Sequence, residues 1–105
     1  MSTSLPTHAQ IVIIGGGIVG CSTAYHLAKK GFKDVVLLER KELGSGTTFA
    51  AAGLLAQLRQ NREMTNLAKY AIELYSKLGE ETGVSPGFVR TGAIGVCQTE
   101  DRRLE

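Results

Sequence analysis

Glycines at positions 15, 16, 17 and 20 lie between an unbroken apolar run, Ile11-Val12-Ile13-Ile14, and a helical pattern that begins at Ile18. No other segment constrains the fold as much. A run of β-branched residues without polar alternation reads as a strand buried on both faces of a parallel sheet. Ile18, Cys21, Ala24, Tyr25, Leu27 and Ala28 then recur at helical spacing until Lys29, Lys30 and Gly31, and basic residues followed by glycine are the expected helix stop. After Lys33 and Asp34 comes a second apolar run, Val35 to Leu38. Strand, helix and strand within about 30 residues form a βαβ unit, with parallel strands and a right-handed crossover.

Gly15, Gly17 and Gly20 spell GxGxxG at the strand-to-helix turn. Gly15 permits the tight turn, Gly17 leaves the backbone bare where a diphosphate approaches, and Gly20 lets the helix lie close to the sheet, with Ala24 one turn on keeping that closeness. The N–H groups of Ile18 and Val19 then face the anion at the positive end of the helix dipole, each contact contributing about 0.3 to 1 kcal/mol. Glycines alone are a weak signal, since ordinary turns use them, but a buried strand before them and an amphipathic helix after them make a dinucleotide site specific. Glu39 ends the second strand about 20 residues beyond the last glycine, where a carboxylate accepts the ribose hydroxyls of an adenosine and disfavours an extra 2′-phosphate. Arg40 either flanks the adenine or stays solvated.

From Lys41 to Gly53 the chain turns to small residues, GSGTTFAAAG, a composition suited to backbone beside a ligand and poor for a regular element. A helix is expected from about Arg62 to Glu81. Met64, Leu67, Ala68, Ala71, Leu74, Tyr75 and Leu78 form its buried stripe, while Arg62, Glu63, Lys69, Glu73, Lys77 and Glu80 stay wet, and Gly83 closes it. Phe88 to Arg90 and Ala93 to Cys97 read as two short strands beginning a further sheet, and Asp101 to Glu105 as the first turn of another helix. The organisation is thus a polar tail over 1–9 and, over 10–105, the N-terminal part of an α/β, Rossmann-like domain expected to be cut short at its C-terminus.

Composition narrows the partners. At 105 residues one small domain is the ceiling. No apolar stretch approaches the roughly 18 residues that cross a bilayer, and the opening residues lack both an apolar signal core and a basic amphipathic face, so the expected setting is cytoplasmic, away from membranes. A net charge of +2 with intermingled signs makes nucleic acid an unexpected partner. Cys21 and Cys97 stand far apart and outside any CxxC pair, which removes support for a metal or dithiol site and leaves both as small buried hydrophobes.

The run IVIIGGGIVGCSTAYHLAKKGFKDVVLLER, followed by KELGSGTTFAAAGLL, resembles the N-terminus of the flavoprotein superfamily of D-amino-acid oxidase, glycine oxidase and sarcosine dehydrogenase. The likeness runs on through LGEETG and RTGAIGVCQT. Within the superfamily it is nearest to dimethylglycine and sarcosine dehydrogenases and to bacterial proteins that add a C-terminal folate domain. The glycine motif is shared with nicotinamide enzymes, which present the same ADP half, whereas GSGTT with AAGLL at this distance is far more specific. The resemblance implies FAD, with Gly46, Thr47, Thr48, Phe49, Ala50, Ala51, Ala52, Gly53 and Leu54 lining its flavin end and Ser45 among the cofactor-binding residues. Small side chains and hydroxyl groups there suit main-chain donors approaching a flat ring. A small-residue loop that merely packs a helix is the structural alternative.

The same resemblance implies an amine substrate, hydride transfer to flavin, an electron acceptor that is oxygen or an electron-transfer protein, and tetrahydrofolate as a possible partner of the full-length protein. Relatives with covalent flavin carry histidine in a sequence like GTTWHAAG, where this chain has Phe49 and Ala50, so the FAD is expected to be noncovalent. Relatives that serve as a regulatory subunit of pyruvate dehydrogenase phosphatase imply the alternative of a fold kept without turnover. His8 and His26 read as solvated or locally bonded, Tyr70 and Tyr75 as packing residues. Gln57 and Arg59 follow the loop closely enough to serve a substrate carboxylate. No nucleophile-and-base pair is visible, and no catalytic residue is assigned.

Overall fold

The computed structural model describes residues 4–104, in two compact units, the first ending with Gly53 and the second beginning with Leu54. Residues 1–3 of the polar tail and Glu105 of the expected last helix lie outside the described residues.

The first unit is the expected βαβ. Strand β1 (Ile11–Ile14), helix α1 (Ile18–Lys29) and strand β2 (Val35–Leu38) follow one another, and the strands pair in parallel with Ile11 opposite Val35 and Ile14 opposite Leu38. Asp34 sets that register from below. Its carboxylate accepts the Gln10 N–H at 2.8 Å while its carbonyl accepts the Ile11 N–H at 3.2 Å. At the upper end the Gly15 N–H donates to the Leu38 carbonyl at 2.8 Å, carrying the ladder into the turn. Helix α1 stops at a Schellman closure: Gly31, at φ +92°, donates to Ala28, and Phe32 donates to Leu27.

Helix α1 packs on both strands and shields Ile13, which is 9% exposed. The other face of β1 is a correction. Ile14 is 88% exposed and Val12 half exposed, because successive strand residues point to opposite faces and this unit holds a single covering layer. An apolar run without alternation therefore marks a strand that needs two layers, one of which is absent from the unit. Cys21 is half-buried, its Sγ 3.4 Å from the Gly16 carbonyl.

The loop after β2 holds a second correction. Thr47–Ala50 form one turn of helix, α2, where no regular element was expected. Its bonds are long, Ala50 N–H to Gly46 and Ala51 N–H to Thr48 both at 3.4 Å. Alanine's helix preference and a side-chain anchor at Thr48 supply what the glycines withhold.

The second unit is built on helix α3 (Arg62–Thr82), close to the expected span. Asn61 caps it, its side chain accepting the Met64 N–H at 2.9 Å, and Glu63 sits favourably in the first turn. Gly83 ends it at φ +72°. Of the expected stripe, Ala68, Ala71, Leu74, Tyr75 and Leu78 are half-buried, and Ile72, 8% exposed, joins them as its centre, whereas Met64 and Leu67, and Tyr70 beside them, are exposed. The cause is the segment that folds back: Pro86 Cδ would meet a Cβ on Gly79 at 3.7 Å, and the Phe88 ring lies 6.1 Å from that of Tyr75. Only the C-terminal half of the helix is covered this way.

Neither expected strand of the further sheet forms. Residues 88–97 are irregular, Ile94 is 95% exposed, and Cys97 is exposed as well, against its expected burial. A strand requires a paired edge, and none is present among the described residues of this unit. Glu100–Leu104 form the short helix α4, and its Arg103 pairs with Glu100. Among the described residues, no helix is long and apolar enough to cross a membrane, and no group of three His, Cys, Asp or Glu side chains could hold a metal ion.

Candidate functional site

The turn between β1 and α1 depends on its glycines for two reasons. Gly15 sits at φ +106°, a conformation that residues with side chains rarely adopt and only under strain. Gly20 is held so tightly that an added Cβ would lie 1.8 Å from the Gly15 carbonyl oxygen and 3.4 Å from Ile13 Cγ2. The first turn of α1 thus rests directly on the end of β1, which aims its N-terminus across the turn. Helix geometry leaves the first-turn N–H groups, Ile18 and Val19 among them, without partners inside the helix, and the dipole makes that end attractive to anions.

Glu39 reaches the same turn from the end of β2. One carboxylate oxygen accepts the Gly16 N–H at 2.7 Å and the other accepts the Lys41 N–H at 2.9 Å. The Gly16 bond, then the Lys41 bond, hold the carboxyl below the ordinary glutamate range, outweighing partial desolvation. It is therefore ionised at neutral pH. A carboxylate has about four acceptor sites, so two backbone donors leave capacity for hydroxyl groups of a ligand. Arg40 is exposed beside it.

The third wall is the start of the small-residue loop. Gly44 donates its N–H to the Gly16 carbonyl at 2.8 Å, and Leu43 packs over Gly16, where a Cβ would meet Leu43 Cδ2 at 2.5 Å. Thr48 reaches across thirty residues. Its hydroxyl oxygen accepts the Ile18 N–H at 2.9 Å and would stand 3.1 Å from a Cβ on Gly17.

The structure thus brings together Gly15, Gly17, Ile18, Val19, Gly20, Glu39 and Thr48. Ser45, Gly46, Thr47, Phe49, Ala50, Ala51, Ala52 and Gly53 follow in the same unit but are exposed, Phe49 to 85%. Leu54, Gln57 and Arg59 belong to the second unit. His26 is locally bonded, its Nδ1 2.7 Å from the Ser22 carbonyl, and His8 lies 3.0 Å from the Thr7 hydroxyl. Sequence reasoning missed Gly16, Leu43 and Gly44. The available signal was the middle glycine of GGG, which GxGxxG leaves unspecified and which here is crowded by Leu43 and Glu39.

These residues could hold the ADP half of a dinucleotide: a glycine-lined turn, a helix N-terminus, and an ionised carboxylate at the end of β2. The family model for DAO, FAD dependent oxidoreductase, matches residues 10–105. The chain is 48% identical over 103 residues to the mouse mitochondrial pyruvate dehydrogenase phosphatase regulatory subunit, covering 98% of this chain and 12% of that protein. It is 47% identical over 98 residues to 4-methylaminobutanoate oxidase (formaldehyde-forming) of Paenarthrobacter nicotinovorans, covering 93% and 12%. Human mitochondrial dimethylglycine dehydrogenase is 48% identical over 100 residues, covering 95% and 12%. The chain therefore spans about an eighth of the length of these relatives.

Proposed function

The chain belongs to the DAO family of FAD-dependent oxidoreductases, and from that premise we propose that it is the FAD-binding segment of an enzyme that oxidises a secondary or tertiary amine. The observation that carries the reading is the turn itself, where the Glu39 carboxylate and the N-terminus of α1 converge on one glycine-lined spot. Relatives named for dimethylglycine, sarcosine and 4-methylaminobutanoate support the substrate class, an N-methylated amino acid.

In this reading the N–H groups of Ile18 and Val19 bind the diphosphate, Glu39 orients the ribose, and Arg40 borders the adenine. The stretch Ser45 to Leu54 lies along the flavin end, offering main-chain donors and the hydroxyls of Thr47 and Thr48. FAD held there would supply an acceptor for a hydride from the carbon attached to the amine nitrogen, and the resulting iminium would pass to water or to a folate. The segment's own task is binding and orientation. Ala50 has no nucleophilic atom for a flavin link, so the cofactor is held noncovalently. The electron acceptor, oxygen or an electron-transfer protein, is decided by other parts of the molecule.

A second reading is favoured by one observation: the regulatory subunit matches as well as the dehydrogenases do. In that reading the chain keeps the cofactor cleft without amine turnover. Anaerobic addition of sarcosine or dimethylglycine to the full-length yellow protein separates the two, since bleaching of the flavin absorbance supports the enzyme and its persistence supports the regulatory protein. Acid precipitation should release the flavin intact. Flavin retained on a peptide would overturn the noncovalent assignment.

A further inference from the structure

We draw no further inference here: the strongest candidate, the cleft of the second unit between residues 58–61 and 95–98, lined by Arg59, Met64, Val96 and Gln98 among others, is walled by exposed residues of mostly irregular segments, and nothing in the structure shows what fills or covers it.

Discussion

Gly20→Ala and Gly79→Ala make the same chemical change on two helices and should have opposite signs. In a helix, alanine replaces glycine with a gain of about 0.5 to 1 kcal/mol. At Gly79 nothing opposes that gain, since the new methyl would meet Pro86 Cδ at 3.7 Å, an ordinary contact. At Gly20 the methyl would lie 1.8 Å from the Gly15 carbonyl oxygen and 3.0 Å from its carbon. Both are backbone atoms, so no rotamer change relieves the overlap, and α1 must withdraw from the turn by about an ångström or more. Forcing an extra methyl into a filled space costs about 1 to 3 kcal/mol, and more when backbone has to move, which exceeds the propensity gain. The displaced helix also carries the Ile18 and Val19 N–H groups away from the diphosphate. The assay is thermal unfolding followed by circular dichroism, with retained FAD measured by absorbance. G79A should melt at or above wild type with a full complement of flavin, and G20A should melt lower and lose most of it. A G20A protein with wild-type flavin content and melting temperature would refute the close approach of α1 to β1 and the role assigned to it.

Glu39 makes a prediction whose sign follows from its lowered pKa. Stability from the Gly16 and Lys41 bonds is present above the ordinary carboxyl value of 4.5 and is lost as pH falls through the lower folded value; a titration of the Glu39 side-chain carbon by NMR should place its midpoint below 4.5. E39Q loses one of the two anionic acceptors and should weaken ADP binding while removing that titration. Asn61→Ala leaves the Met64 N–H without its acceptor and should cost about 1 kcal/mol of stability in α3, read as a lower denaturation midpoint with unchanged flavin content.

The βαβ unit was legible because every level agreed. Unbroken apolar runs marked both strands, helical spacing marked α1, and Lys29, Lys30 and Gly31 marked its end. Glu39 was found by counting from the glycines, and its carboxylate does reach the turn, though through the Gly16 amide, a contact that spacing does not reveal. What failed depended on partners elsewhere. Residues 88–97 have the composition of strands, but an edge to pair with is a property of other chain segments. Ile14 has the character of a fully buried residue and is open for the same reason. The stripe of α3 was legible from Ala68 to Leu78, whereas the exposure of Met64 and Leu67 was not, because only the return of Pro86 and Phe88 decides which part of that face is covered. Thr48 was visible as a hydroxyl in a ligand loop. Its bond to Ile18, thirty residues back, is a tertiary fact.

The most direct test is a titration of the full-length apoprotein with FAD, following quenching of flavin fluorescence, with G20A in parallel. Saturable uptake of one FAD per chain by wild type, competed by ADP and lost in G20A, is the predicted result. Wild-type protein that is folded yet leaves the fluorescence unchanged at every FAD concentration would contradict the assignment of this turn as a dinucleotide cradle.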